Sequence, residues 1–228
     1  MAGVDFVVCD IETNGLCCKG YYHEVCEISM VRASDRHQLS RQIIVERPEN
    51  SSFDALKITG KTMSDLKEGV SRNEAVEEFS QFLTNINPNP NGICVIGHNI
   101  ISFDKKFLFA LWEKVGERFP ASLWLDTVAL TGQFIKQSDI TTLNITKTAT
   151  GKISKTLHAS CDLLGVKKIS TAHNARDDAR NNYMLWKALV DQHNIDYLPH
   201  IKSFPHIVEG DAEIDFDMSD LEMTDDLA

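Results

Sequence analysis

Three apolar, β-branched segments follow one another at the start of the chain, and this order constrains the fold more than any other feature. They cover residues 5–11, 24–33 and 39–47, and each has the length and composition typical of a β-strand. Helical patterns then alternate with two further strand-like segments at 93–99 and 122–127. Strands that are first consecutive and then separated by helices favour an α/β fold, in which a mixed β-sheet is flanked by α-helices.

Helical periodicity is found in several segments of the remaining sequence. They cover about 64–67, 73–85, 102–111, 128–135, 155–164 and 175–192. Ser102 is placed to cap the third of these helices, which puts Asp104 in its first turn. Residues 137–155 are rich in Thr, Ser and Lys and have no apolar period, so a mobile loop is predicted there.

Length and composition fit a single soluble domain. A chain of 228 residues with 43% hydrophobic content can bury the core of one large domain. It has no run of about eighteen apolar residues that could span a membrane, and Asp5 interrupts the apolar start. We therefore expect an intracellular, soluble protein of the cytoplasm or the nucleus, with no membrane partner and with free cysteine thiols.

Two carboxylates share one face at the end of the first predicted strand. In the segment VVCDIET, Asp10 and Glu12 are two positions apart, and alternate residues of a strand point to the same face. Two carboxylates held side by side repel each other unless a cation lies between them. Either a metal site or a solvent-facing strand end therefore explains this pair.

Two further acids stand at the starts of predicted helices. Asp104 and Asp178 could each simply complement a helix dipole, and Asp177 competes with Asp178 for any other role. From separate elements they can also converge on the same point as Asp10 and Glu12. Four carboxylates would supply the hard oxygen ligands that two Mg²⁺ ions, ~3.5–4 Å apart, need for the hydrolysis of a phosphodiester bond.

A histidine precedes Asp178 by five residues. His173 lies in the segment HNARDDA, which is expected to be a loop that leaves the imidazole exposed. An exposed histidine can take up a proton from a water molecule near neutral pH. Most histidines are ordinary surface residues, so the interest of His173 depends on its relation to Asp178.

The three motifs together resemble those of a known family. DIETNGL, GHNIISFDKKFL and HNARDDA are similar, in this order, to the motifs of the DEDDh 3′-to-5′ exonucleases, which include the proofreading epsilon subunit of bacterial DNA polymerase III. Weaker similarity in LKITGKTM and TLHASCDLLGV extends the resemblance over residues 5–190. It implies a ribonuclease-H-like fold and an enzyme that hydrolyses nucleic acids from their 3′ ends.

The resemblance also assigns roles to individual residues. The implied ligands of two Mg²⁺ or Mn²⁺ ions are Asp10, Glu12, Asp104 and Asp178, and the implied general base is His173. Thr13 and the backbone near it would contact the 3′-OH of the terminal nucleotide. Leu16 would pack against its base, and Asn99 would line the cleft.

We therefore predict a metal-dependent exonuclease that releases nucleoside 5′-monophosphates, with single-stranded DNA favoured over RNA and with DNA repair or proofreading as its context. An exoribonuclease is the first alternative, because the predicted site residues do not encode a sugar preference. The second is a binding protein that kept the fold and lost catalysis. All four carboxylates are present, which argues against that second alternative.

Two segments depart from the family pattern. Cys17, Cys18, His23 and Cys26 lie within ten residues and could bind zinc, but adjacent cysteines lack the usual spacer, so ordinary loop thiols are favoured over structural zinc. Lys147, Lys152 and Lys155 lie in the predicted loop before TLHASCDLLGV. They could contact phosphates, or they could form a solvated lysine loop.

The negative charge is concentrated at the C-terminus. Residues 209–228 hold nine Asp and Glu and no Lys or Arg, and removing nine from the formal charge of −10 leaves −1 for residues 1–208. We predict an exonuclease domain at 1–200 and an acidic, disordered tail at 201–228. The tail could solubilise the protein, dock on a basic, apolar groove of a replication or repair partner, or mimic nucleic acid in the protein's own cleft.

Overall fold

A buried strand that follows the N-terminus lies near the centre of a six-stranded mixed sheet. The strands are β1 (Asp5–Thr13), β2 (Val25–Arg32), β3 (Gln38–Gln42), β4 (Ile93–Gly97), β5 (Leu123–Asp126) and β6 (Lys202–Ser203). Their spatial order is β3-β2-β1-β4-β5-β6. This computed structural model describes residues 3–170, 173–204 and 206.

The pairing of the strands brings three strand ends to one edge of the sheet. β1, β4 and β5 are parallel to one another, whereas β2, β3 and β6 are antiparallel to their neighbours. Parallel strands that follow one another in a sheet end at the same edge, where α/β proteins place their ligands. The acidic end of β1 therefore lies beside the ends of β4 and β5.

Helices cover both faces of the sheet. They are α1 (Phe53–Thr59), α2 (Arg72–Ile86), α3 (Asp104–Lys114), α4 (Thr127–Gln137), α5 (Leu157–Leu163) and α6 (Ala175–Lys187). Val7 of β1 belongs to a core cluster that includes Phe79 of α2 and Trp112 of α3. Val8 faces the opposite way, into a cluster formed with residues of α4, α5 and α6. β1 is thus buried on both sides, as its continuous apolar sequence predicts.

The predicted fold class, an α/β mixed sheet flanked by helices, is confirmed, and several element boundaries differ. α1 and β6 were missed. Ser102 does not cap α3, because Phe103 occupies the N-cap position without a side-chain hydrogen bond. The α-helical part of the last helix, α6, ends at Lys187, and a π-helical turn follows directly at Ala188–Gln192. No helix in the described ranges is long and apolar enough to cross a membrane.

The segment predicted as a mobile loop, 137–155, is partly ordered. Residues Ile140–Thr142 form a 3₁₀ turn, and Lys147 forms an antiparallel bridge with Ile153. Gly151 adopts φ 81° in the turn between these two residues, a left-handed conformation that glycine allows without strain. Such a hairpin is too short to show an apolar period, so the sequence did not indicate it; the rest of the segment is a loop, as predicted.

The boundary of the predicted tail at residue 201 is too early. β6 pairs with β5, and the backbone N–H of Phe204 donates to the carbonyl of Ser122. The His206 ring stacks on Phe109, with 4.4 Å between the ring centroids. The acidic stretch that defines the tail lies outside the described residues.

We expect the packing of α2 on the sheet to be a major source of stability. Phe79 is fully buried, and Phe79→Ala should lower the free energy of unfolding by about 3–5 kcal/mol because it leaves a cavity. The matched control Phe53→Ala removes a ring that is 79% exposed, so the free energy of unfolding should change by less than about 0.5 kcal/mol. Urea unfolding of the two variants measures both values, and equal effects would contradict the assigned core.

Candidate active site

Two distant elements bring three carboxylates together. Asp10 and Glu12 project from the end of β1, and Asp178 lies in the first turn of α6, which packs across β1 and β2. One ligand oxygen from each of these residues lies within 4.8 Å of the other two. No other such group of His, Cys, Asp or Glu occurs within the described part of the chain.

The two acids in the first turn of α6, Asp177 and Asp178, have different surroundings. Asn174 caps the helix by accepting a hydrogen bond from the backbone N–H of Asp177. The Asn174 side-chain amide also donates to the Asp177 carboxylate, at 3.3 Å. Asp177 therefore takes part in the cap, whereas Asp178 is buried and faces the sheet.

Asp104 is near enough for its charge to raise the pKa of Asp10 and of Glu12, but it lies outside the 4.8 Å group. It is buried in the first turn of α3, and burial raises its pKa to about 7. Its own backbone N–H lowers the pKa, the charge of Asp126 raises it, and the backbone N–H of Ile11 lowers it. β4 pairs with β1 only as far as Val8, so the backbone of β1 beyond that point is available to Asp104.

Burial and mutual repulsion disfavour negative charge at the end of β1. The pKa of Asp10 is raised well above its ordinary value, first by burial and then by Asp104, Glu12, Asp178 and Glu27. The pKa of Glu12 is raised to about 8, again first by burial and then by neighbouring carboxylates. A bound cation would remove this repulsion, and hard carboxylate oxygens suit a divalent ion such as Mg²⁺ or Mn²⁺. The donor set therefore fits the predicted kind of metal.

The sequence did not indicate two charged residues that border the cluster. Glu27 is the direct partner of Glu12 in the pairing of β2 with β1. Lys61, which follows α1, forms a salt bridge of 3.1 Å with Glu27 and lowers the pKa of Glu12. Glu27 becomes significant only through the strand register, which the sequence does not specify. Lys61 falls within the weakly similar segment LKITGKTM.

A second histidine was also missed. The Nε2 atom of His158, in α5, lies 3.2 Å from Oδ1 of Asp178. Asn181, one turn further along α6, donates to the same oxygen at 3.2 Å. The predicted general base, His173, has its Nδ1 atom 3.9 Å from Oδ2 of Asp178 and a side chain that is 52% exposed. The two imidazole rings lie 5.3 Å apart.

The predicted substrate-binding residues differ in their exposure and in their hydrogen bonds. The Thr13 hydroxyl donates to the carbonyl of Gly15, so it is already used within the turn after β1. Leu16 is 53% exposed on that turn. Asn99 is exposed at the end of β4, with φ 62°, and its backbone N–H donates to Asp126.

The four residues that were considered for zinc lie in different surroundings. Cys17 is exposed, and its backbone N–H donates to Nδ1 of His23. Cys26 is buried in β2, where it packs with Val45 and Leu66. The Cys18 side chain packs against the core formed around Phe79, and burial raises the pKa of its thiol.

A sequence model of the exonuclease family of the RNase T type matches residues 7–186, and the chain belongs to this family. Over 126 residues it is 28% identical to the PolC-type DNA polymerase III of Mycoplasma pneumoniae, a match that covers 55% of this chain and 8% of the polymerase. The family and the ribonuclease-H-like fold expected from the motifs are thereby confirmed.

Solved structures of Exonuclease I share the fold. That of Methylocaldum szegediense matches with a TM-score of 0.64 at 18% identity, over 83% of this chain and 40% of the other. That of E. coli, in complex with a dA16 oligonucleotide, matches with a TM-score of 0.64 at 16% identity, over 83% and 41%. The chain thus spans less than half the length of these structural relatives and a small part of the polymerase.

The raised pKa values predict how stability changes with pH when EDTA removes metal ions. Glu12 has an ordinary pKa of 4.5, which is raised to about 8 in the folded state. Between these two pH values, the folded state holds a proton on Glu12 that the unfolded state has lost. Stability should therefore fall as pH rises through this range, by an amount on the order of a few kcal/mol. Thermal unfolding at several pH values measures the change.

The variant Asp10→Asn/Glu12→Gln is the control for this prediction. It should be more stable than the wild type at pH 8 and depend less on pH, because two of the repelling charges are gone. Adding Mg²⁺ or Mn²⁺ at pH 8 should stabilise the wild type and leave the variant nearly unchanged. Identical pH profiles for the two proteins would contradict the electrostatic account of the cluster.

Proposed function

We propose that this protein is a 3′-to-5′ exonuclease that removes nucleoside 5′-monophosphates from the ends of single-stranded DNA. The observation that carries the proposal is the convergence of the ligand oxygens of Asp10, Glu12 and Asp178 within 4.8 Å. This convergence occurs in a chain of the exonuclease family, and the three residues lie in the segments whose sequence resembles that family's motifs. His173, next to Asp178, adds a group that can accept a proton.

The carboxylates give the site its chemistry by holding metal. Asp10, Glu12 and Asp178 would bind one divalent cation, and Asp104, beside Asp10, would contribute to a second. When bound, such cations activate water and stabilise the charge that develops on the leaving 3′ oxygen. With cations bound, the carboxylates would no longer repel one another, and they would hold the cations where the scissile phosphate binds.

The remaining residues orient the strand and move the proton. His173 lies at the solvent-exposed side of Asp178, where it can take the proton of the attacking water and release it to solvent. The exposed side chain of Leu16 is available to pack against the terminal base, and Asn99 lies at the neighbouring strand end. The backbone around Thr13 would meet the 3′-OH, since the Thr13 hydroxyl is already engaged.

Comparison with relatives supports DNA as the substrate. Exonuclease I of E. coli has been solved with dA16 and with dT13, both of which are single-stranded DNA oligonucleotides. The relative of Mycoplasma pneumoniae is a DNA polymerase, which favours a role in DNA repair or proofreading over one in RNA turnover.

The first test is the degradation of matched 5′-labelled single-stranded DNA, single-stranded RNA and duplex DNA with Mg²⁺, Mn²⁺ or EDTA. We expect a ladder that shortens from the 3′ end, fastest for single-stranded DNA and absent in EDTA. Asp10→Ala should lower the rate by about 10³-fold or more, which corresponds to several kcal/mol of lost metal-dependent stabilisation. The exposed acid of α1 provides the matched control Asp54→Ala, which should retain full activity.

Each departure from this result has a definite meaning. Faster degradation of RNA would identify an exoribonuclease. Full activity of Asp10→Ala would refute the metal assignment. Binding without cleavage of any substrate, with either metal, would indicate a nucleic-acid-binding protein that has lost catalysis.

The role of His173 is tested separately. His173→Ala should lower kcat by about 10²–10⁴-fold, the usual contribution of a general base, with little change in oligonucleotide affinity. His37→Ala replaces another exposed histidine and should leave kcat unchanged. If His173→Ala kept the wild-type kcat, the proton would have to be accepted by another group.

A further inference from the structure

A short hairpin with two lysines connects α4 to α5. We call residues 146–154 the lysine hairpin. The backbone N–H of Thr148 donates to the carbonyl of Lys152, and that of Ser154 donates to the carbonyl of Thr146, both at 2.8 Å. Lys147 and Lys152 are both exposed. The hairpin is therefore an ordered support for two solvent-facing cations.

The hairpin is anchored at the rim of the acidic site. The Nε2 atom of His98 lies 2.6 Å from the carbonyl oxygen of Lys155, the residue directly after the hairpin. His98 follows the last residue of β4, and because Val8 of β1 pairs with Ile96, His98 lies level with Asp10 in the sheet. Three residues after Lys155, His158 contacts Asp178.

Apolar contacts fix the base of the hairpin and leave its tip free. Leu143, Ile145 and Leu157 pack against the core cluster that contains Phe134. Ser154, at the second strand of the hairpin, is buried. The hairpin thus projects from a rigid base, which suits a surface that holds a ligand in a fixed position.

The charge of this segment is unbalanced. Residues 140–155 contain three lysines and no Asp or Glu, whereas residues 1–208 carry only −1 in total. In the described ranges, the side chains of Lys147, Lys152 and Lys155 form no salt bridge, although Lys61, Lys168 and Lys187 do. Unpaired lysines beside a site that attracts cations are suited to an anionic ligand of high charge density.

We propose that the lysine hairpin binds the phosphate backbone of the substrate strand upstream of the nucleotide that is removed. This inference rests on the proposed exonuclease function, because it takes the acidic cluster as the place where the terminal phosphodiester is cleaved. Lys147 pairs with Ile153, and alternation places Lys152 on the other face of the hairpin. The two lysine side chains therefore lie on opposite faces of the hairpin. A nucleic-acid strand that crosses the tip of the hairpin would contact both lysines, and a strand that follows one face would contact one of them.

The test compares the binding of a long and a minimal ligand. Fluorescein-labelled dT₁₅ is titrated in EDTA against the wild type and the double variant K147A/K152A at several salt concentrations. Each lysine that contacts a phosphate should contribute about 0.7 to the slope of log K against log salt concentration. Over the tenfold range from 1 M to 0.1 M salt, this slope corresponds to about a fivefold gain in affinity per lysine. We therefore expect the variant to bind more weakly by about fivefold for one contact or ~25-fold for two.

Two control variants separate charge from folding and position. K147R/K152R keeps the positive charges and should bind dT₁₅ like the wild type. K114A/K202A removes two exposed lysines, one at the far end of α3 from Asp104 and one on β6, and should also bind normally. Affinity lost equally in K114A/K202A, or not restored in K147R/K152R, would overturn the proposal.

A mononucleotide substrate separates this inference from the proposed function. The p-nitrophenyl ester of thymidine 5′-monophosphate has no upstream phosphates, so K147A/K152A should hydrolyse it at the wild-type rate with Mn²⁺. Loss of its hydrolysis in K147A/K152A would overturn the backbone role. Absence of a 3′-to-5′ ladder with the wild type would refute the exonuclease function alone, because the dT₁₅ titration in EDTA still decides whether the hairpin binds the strand. Unchanged affinity and salt slope in K147A/K152A would show that the lysines are only a solvated surface.

Discussion

Repulsion between closely spaced, partly buried carboxylates is the constraint on which the rest of this structure depends. Asp10, Glu12 and Asp178 lie within 4.8 Å of one another, and burial raises the pKa of the first two. Such an arrangement opposes folding unless cations or protons compensate it, so the apolar packing on both sides of β1 must hold it in place. Lys61 relieves part of the repulsion, since it pairs with Glu27 and lowers the pKa of Glu12. The remaining negative potential makes this edge of the sheet suited to binding cations.

Another buried acid, outside this cluster, fixes the turn that follows β1. Glu24 is almost fully buried, accepts hydrogen bonds from the backbone N–H groups of Glu46 and Arg47, and pairs with Arg72. Its own backbone N–H donates to the side chain of Asn14, two residues after Glu12. This acid is compensated within the protein, whereas the acids at the end of β1 are not. The contrast separates a structural carboxylate from those available to a ligand.

Local patterns were sufficient to place the acids that depend on a single element, and the resemblance of the three motifs to a family then selected them as site residues. The period of a strand places Asp10 and Glu12 on one face, and the first turn of a helix places Asp178 at its start. Glu27 and His158 could not be found in this way, because the first depends on the register of β2 and the second on the packing of α5 against α6. β6, with two residues, and the lysine hairpin are too short to produce a period. Pairing with β5 defines β6, and backbone hydrogen bonds within residues 146–154 define the hairpin.

The geometry around Asp178 distinguishes the two histidines. His158 and Asn181 both contact Oδ1, so this oxygen is held from two sides. His173 approaches the other oxygen, Oδ2, without a short contact. The His158 side chain is 21% exposed and that of His173 is 52% exposed. A general base must reach the attacking water and then return the proton to solvent, which favours the more exposed and less constrained ring. His158 is better suited to orienting the carboxylate, and His173 to moving the proton.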